Sequence, residues 1–297
     1  MSSIMIQGTT SSAGKSLMCT GLCRIFKEDG YKVYPFKSQN MSSKFYITEE
    51  GKKISVAQAL QARAAGLKPS HHMNPILLIP NSDSGSMVVV NGEERENMGA
   101  RDYFKFRPRL KKMIMEKYNE IQSNNDIVVI EGAGSPAEIN LKKNDIVNMG
   151  MAEIADAPVL LVTDINRGGA FAALYETVML LEPHERARIK GLIINKFRGD
   201  KTLLEPWIKM IEDLLNIQVV GVIPYISLDL IDEDSLIDRN KSPKAEEQSF
   251  EEEELELNKL SNGIRANMDM EYIYKIMGVN NGWFNHSSNT RFYNWGS

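Results

Sequence analysis

The sequence predicts an α/β protein with a mostly parallel sheet and helices on both of its faces. Three observations predict it. Short runs rich in Val, Ile and Leu recur at 4–7, 33–36, 127–130, 159–162, 191–194 and 219–222. Buried parallel strands read this way because both of their faces meet apolar neighbours. Helical periodicity fills most of the gaps, at about 16–28, 57–65, 108–122, 171–181 and 202–215. Strand–helix alternation closes a parallel sheet through right-handed crossovers. A Gly/Ser-rich loop, residues 8–16, then joins the first strand to the first helix. Sheets of this kind place their ligands at the C-terminal strand ends.

Composition bounds the function. The chain has 297 residues, with 42% apolar and 25% charged side chains, as in ordinary globular proteins. A net charge of −4 argues against a nucleic-acid-coating surface. No apolar run approaches the ~20 residues that span a bilayer, and no secretory leader is expected. Neither a nucleic acid nor a membrane is expected as a partner. The two cysteines, Cys19 and Cys23, imply no disulfide framework. A cytoplasmic location is the expectation. Their i, i+4 spacing on the first helix reads as buried packing. His71-His72 reads as a turn.

The first strand leads into Gly8-Thr9-Thr10-Ser11-Ser12-Ala13-Gly14-Lys15-Ser16. This is the context of a P-loop. Successive backbone N–H groups and a helix N-terminus make an anion nest for phosphates. Gly8 and Gly14 are expected to supply positive φ and close backbone approach. Lys15 can reach the β and γ phosphates, and the Ser16 hydroxyl can ligate Mg²⁺. Thr9, Ser12, Ala13 and Leu17 complete the expected nucleotide contacts. The usual spacing places the first glycine at Thr9, so this loop is a variant. It lacks the lysine that ParA- and MinD-like ATPases carry at the position of Thr10. It resembles instead the loop of dethiobiotin-synthetase-like ligases, which implies a P-loop NTPase-like fold.

The second strand ends at Pro35-Phe36-Lys37, which brings Lys37 to the ligand edge as a second cation for phosphoryl transfer. Residues 76–80 and 87–91 are candidate strands of an insertion. The third core strand runs into Glu131-Gly132-Ala133-Gly134-Ser135, and the fourth ends at Asp164. These two carboxylates, with Ser16, form a plausible metal shell. The fifth ends at Asn195-Lys196, where an amide can read a purine edge. Arg167 is a candidate contact for an anionic substrate.

Domain organisation follows. Residues 1–238 read as the P-loop domain, 239–254 as an acidic linker carrying Glu251–Glu254, 255–278 as a helical segment, and 279–297 as an irregular tail.

Together these motifs identify the chain as resembling cobyric acid synthase of cobalamin biosynthesis. The resemblance rests on Gly8–Ser16, Pro35–Met41, Gln58–Gly66, Met73-Asn74-Pro75, Glu131–Leu141 (EGAGSPAEINL), Asp145–Gly150, Asp164–Phe171 (DINRGGAF), Asn195–Asp200 and Gly221–Tyr225. It implies an enzyme that uses ATP and Mg²⁺ to amidate four carboxylates of adenosylcobyrinic acid a,c-diamide through acyl phosphates. It implies Lys15, Lys37, Glu131 and Asp164 as the catalytic set. It adds Gln39, Asn40, Ser135, Glu138, Asn140, Asp145 and Asn148 as candidates for the corrinoid side. Typical members continue into a glutamine amidotransferase domain, whose cysteine nucleophile has no counterpart here. Residues 257–277 resemble the C-terminal segment of full-length members. The implied partners are a corrinoid substrate, ammonia or a separate glutaminase, and a second copy in a homodimer. The alternative reading is a nucleotide-binding remnant or regulatory P-loop protein without synthetase activity.

Overall fold

The computed structural model describes residues 1–81, 85–229 and 249–279. In chain order, β1 (Ser2–Gly8) enters α1 (Lys15–Glu28), and β2 (Val33–Phe36) follows. An excursion then comprises β3 (Gln39–Met41), β4 (Phe45–Ile47), β5 (Lys53–Ser55), α2 (Val56–Ala64), β6 (Ile76–Pro80), β7 (Gly85–Val90), β8 (Glu93–Gly99) and α3 (Ala100–Ser123). The chain returns as β9 (Ile127–Glu131), α4 (Met149–Ala155), β10 (Val159–Asp164), α5 (Ala170–Met179) and α6 (Pro183–Arg186). It continues as β11 (Ile189–Phe197), α7 (Glu205–Leu215), β12 (Val219–Pro224), α8 (Phe250–Arg265) and α9 (Met270–Ile276).

Six strands form the central sheet in the order β12-β11-β10-β1-β9-β2, with all pairings parallel. The six core strands expected from the sequence are these six. β1 is central, with β9 on one side and β10 on the other, so the strand order reverses there. That reversal opens the crevice in which such sheets bind ligands.

Alternation along β1 sends Ile4 and Ile6 to one face and Met5 to the other. The first face packs against α1, α8 and α9 through Leu22, Phe26, Leu260, Ile264 and Ile273. The second packs against α3, α4 and α5 through Ile114, Tyr118, Met151 and Leu174. A four-stranded sheet, β3-β6-β7-β8, flanks this body, and β4 pairs with β5 in a hairpin. β6 begins at 76 as expected. β8 was not expected, because its side chains are mostly exposed and polar, and only its backbone pairing with β7 makes it a strand.

Two expectations are corrected. α3 begins at Ala100 rather than 108 and runs through Pro108. That proline is exposed, so solvent can satisfy the carbonyl it leaves without a helical donor. Residues 249–254 are not linker but the cap and first turn of α8, where Ser249 and Glu252 form a capping box. Negative charge stabilises this helix end. Glu254 also pairs with Arg24 at 2.8 Å, and Glu253 with Arg63 at 2.5 Å. The helical segment expected at 255–278 forms most of α8 and all of α9 and packs on the body. Leu257, Leu260, Ile264, Ile273 and Tyr274 are buried in the same core as α1, and the turn between α8 and α9 bonds to β12 through Asp269 N to Val220 O at 2.7 Å. Residues 239–248 and 280–297 of the expected linker and tail lie outside the described residues. Among the described residues, no helix is long and apolar enough to cross a membrane. Cys19 and Cys23 are fully buried, and burial pushes both thiols well up, as packing residues require.

Candidate active site

The C-terminal ends of β1, β2, β9, β10 and β11 converge on the loop between β1 and α1. Gly14 caps α1 with φ +95°, and a Cβ there would lie 2.2 Å from Asn195 Nδ2. Only glycine meets both conditions at low cost. Gly8 differs from expectation, since it ends β1 without a positive φ. Its constraint is space: a Cβ would lie 2.9 Å from Thr10 O and 3.1 Å from Lys15 Cγ.

Lys15 is buried and curls back over its own loop. Its Nζ donates to Thr10 O at 2.8 Å, Ser11 O at 3.1 Å and Gly134 O at 3.0 Å. Gly134 belongs to the loop after β9 and adopts φ +60°. One cation thus ties the two loops that border the crevice.

Glu131 accepts four hydrogen bonds. Its Oε1 accepts from Lys37 Nζ at 2.6 Å and from Ser16 Oγ at 2.9 Å. Its Oε2 accepts from Gln61 Nε2 at 2.5 Å and Gln58 Nε2 at 3.4 Å. Burial by itself would push this carboxyl up. The Lys37 charge and the bonds from Lys37, Gln61 and Ser16 outweigh burial and hold it below its ordinary value. The glutamines lie three apart on α2, in a run of small and apolar residues (VAQALQARA), and both are fully buried. Their individual importance was not legible within the longer stretch. Two amides on the buried side of an alanine-rich helix were the available signal.

Asp164 ends β10. Its Oδ1 accepts from Asn166 N at 2.9 Å, and its Oδ2 accepts from Lys196 Nζ at 3.0 Å. Lys196 also donates to Ser12 O at 2.9 Å. Asn195 donates to Ala13 O at 3.0 Å, which braces the phosphate loop, and its Oδ1 accepts from the neighbouring Lys196 N at 2.9 Å. Thr9 donates to Thr163 across the β1–β10 seam at 3.2 Å. Arg167 is exposed, with its Nε 3.6 Å from Asp164 Oδ2.

The candidates for the corrinoid side divide by what holds them. Both oxygens of Asp145 accept backbone N–H groups, from Val147 at 2.8 Å and Gly150 at 2.9 Å among others. Asn148 bonds the backbone of Ala133 in both directions, at 2.7 and 3.1 Å. These two shape the β9 loop. Glu138 accepts from Ser135 N at 3.0 Å. Gln39 accepts from Tyr103 Oη at 2.5 Å. Asn40 is buried beside it, and Asn140 is exposed.

Among the described residues no three His, Cys, Asp or Glu side chains gather as a metal cage, His71 and His72 included. The donors present suit a hard cation all the same. A hydroxyl and a carboxylate oxygen lie 2.9 Å apart beneath a phosphate loop. Mg²⁺ takes one or two protein oxygens and completes its shell with phosphates and water.

Known proteins resemble the chain closely. The cobyric acid synthase of Alkaliphilus metalliredigens (strain QYMF) is 54% identical over 276 residues, which is 93% of this chain and 54% of the relative. That of Caldanaerobacter subterraneus subsp. tengcongensis is 60% identical, over 80% of this chain and 46% of the relative. That of Lachnoclostridium phytofermentans is 62% identical, over 80% and 47%. The chain spans about half the length of these curated relatives. Residues 4–235, nearly the whole body that carries the crevice, match the CobQ/CobB/MinD/ParA nucleotide binding domain, and the chain belongs to that family.

Proposed function

We propose that the chain is an ATP- and Mg²⁺-dependent amide ligase acting on corrinoid carboxylates, converting adenosylcobyrinic acid a,c-diamide to adenosylcobyric acid. The observation that carries the reading is the cluster of Lys15, Ser16, Lys37 and Glu131 at adjacent strand ends beneath a phosphate loop. The identity of 54–62% to cobyric acid synthases supports the substrate class.

The loop N–H groups and the α1 N-terminus bind the phosphates of ATP. Lys15 turns from its loop carbonyls to the β and γ phosphates. Ser16, Glu131 and Asp164 would hold Mg²⁺, which would neutralise charge on the phosphates. A substrate carboxylate oxygen attacks the γ phosphorus, the bond to ADP breaks, and an acyl phosphate forms. Lys37 neutralises charge on the transferring group. Ammonia, from free ammonium or a glutaminase, then attacks the acyl carbon. Inorganic phosphate leaves and the nitrogen loses a proton, which completes the amide. Asn195 and Lys196 brace the nucleotide side. Gln39, Asn40 and the loop held by Asp145, Asn148 and Glu138 border the corrinoid side, with Ser135, Asn140 and Arg167 as surface contacts.

The test is incubation with ATP, Mg²⁺ and adenosylcobyrinic acid a,c-diamide, with ammonium or glutamine as donor, followed by mass spectrometry of the corrinoid. Each turnover exchanges a hydroxyl for an amino group. Product with ammonium is expected. No product with either donor, in a chain that binds ATP, would leave nucleotide binding without synthetase output.

A further inference from the structure

We infer that Gln61, oriented by Gln58, is a positioning residue for Glu131: it pins one carboxylate oxygen so that only the other faces Ser16 and the phosphate loop. The inference rests on the reading of Glu131 and Ser16 as the cation-binding pair.

The geometry divides the carboxylate cleanly. Oε1 meets Ser16 and Lys37, whereas Oε2 meets only the two amides. Gln58 Nε2 donates to Gln61 Oε1 at 3.1 Å. That bond leaves Gln61 Nε2 as the atom turned toward Glu131. The pair is costly where it stands. Both side chains are fully buried, and Gln58 Oε1 has no hydrogen-bond partner. A buried acceptor left unsatisfied is costly, and an apolar residue at Gln58 would avoid that cost. The donors of both amides go to the carboxylate or to each other, which ties their role to Glu131.

The pair is also linked to Lys37. Ser55 caps α2, accepting from Ala57 N at 3.1 Å, and its own N–H donates to Asn74 Oδ1 at 3.1 Å. Asn74 Nδ2 in turn donates to Lys37 O at 3.1 Å. One asparagine thus links the backbone that carries Lys37 to the helix that carries the glutamines. The partners on both oxygens of Glu131 are therefore held as a unit. Groups that orient a ligating carboxylate in this way commonly set metal affinity.

The test measures cation binding without any corrinoid, so failure of the ligase reading leaves it intact. Free Mn²⁺ is followed by electron paramagnetic resonance while the full chain is titrated in the presence of a non-hydrolysable ATP analogue. Nucleotide affinity without metal is measured in parallel. Gln61→Met and Gln61→Leu remove the donor and keep most of the side-chain volume. Each is expected to weaken Mn²⁺ binding by about tenfold or more. Metal-free nucleotide affinity is expected to stay within about twofold, because a positioning role leaves the loop itself intact. A role in packing alone would lower both affinities, or neither, and either result overturns the inference. So would a wild-type chain that binds Mn²⁺ no better than the nucleotide does alone. If the Gln61 variants fail to fold, Gln58→Met carries the test, since it removes the unpaired acceptor. Weakened Mn²⁺ binding in a variant that melts no lower than wild type supports the inference. Unchanged Mn²⁺ binding refutes it.

Discussion

Replacing Lys37 by methionine removes one half of a buried ion pair and leaves the other. The side chains of Lys37 and Glu131 are 4% and 1% exposed, and their charged atoms are 2.6 Å apart. Methionine retains most of the aliphatic stem, so lost packing is a minor part of the effect. The carboxylate left behind keeps its bonds from Ser16, Gln61 and Gln58 but loses its counter-charge, which costs about 3–5 kcal/mol. A domain of this size loses roughly 2–4 °C per kcal/mol, so a fall of about 6–20 °C is expected. The pH dependence identifies the cause. In the wild-type chain the Glu131 carboxyl titrates below its ordinary value. Its stabilising contribution is then present above the unfolded value near 4.3 and is lost as the pH falls through the folded value. In Lys37→Met burial dominates and the carboxyl titrates above its ordinary value, so its penalty grows as the pH rises and is relieved by protonation. The gap between variant and wild type should therefore be widest near about pH 8 and narrow toward about pH 5. Urea denaturation at the two pH values, without nucleotide, reads it directly. The double variant with Glu131→Gln should recover about 2 kcal/mol relative to the sum of the single changes. A loss below about 1 kcal/mol, or an equal loss at both pH values, would refute the account of the pair.

Three further outcomes follow from the same geometry. Gly14→Ala should abolish nucleotide binding in a fluorescent-analogue titration, because the left-handed φ costs an L residue about 1–2 kcal/mol and its Cβ would meet Asn195 Nδ2 at 2.2 Å. Gly21→Ala would set a methyl 2.3 Å from Ile264 Cδ1 and should destabilise by about 1–3 kcal/mol. Ile264→Val deletes that atom, so the double variant should recover most of the loss in thermal unfolding. Arg24→Ala breaks bonds to Glu28, Glu254 and Asn258 at 2.6–3.2 Å. It should speed proteolysis between α8 and the body while costing about 1–3 kcal/mol.

The strand ends were legible because the chemistry of a phosphate loop needs a fixed local order. A strand, a glycine-bearing loop and a helix-opening Lys-Ser can be read in one dimension, and so can a carboxylate that ends an apolar run. Lys15, Lys37, Glu131 and Asp164 accordingly stand at the expected edge of the sheet. The edge strand β8 was not legible, because backbone pairing rather than side-chain pattern makes it a strand. The acidic run from Glu251 was misread for a related reason: a charged first turn and a solvated linker have the same composition. Only the arginines of α1 and α2 distinguish them.

Local sequence pattern specifies the parallel α/β architecture, the phosphate loop and the residue types delivered to its rim. These follow from periodicities and spacings within about 20 residues, the range over which local backbone geometry acts. Only the tertiary structure decided how those residues partner. It divided the two oxygens of Glu131 between Lys37 with Ser16 and the amides of α2. It turned Asn195 onto Ala13 and Asp145 onto its own loop. It also sealed α1 beneath helices more than 200 residues away in sequence. Such contacts depend on where separate elements meet in the packed core, and no local pattern encodes that.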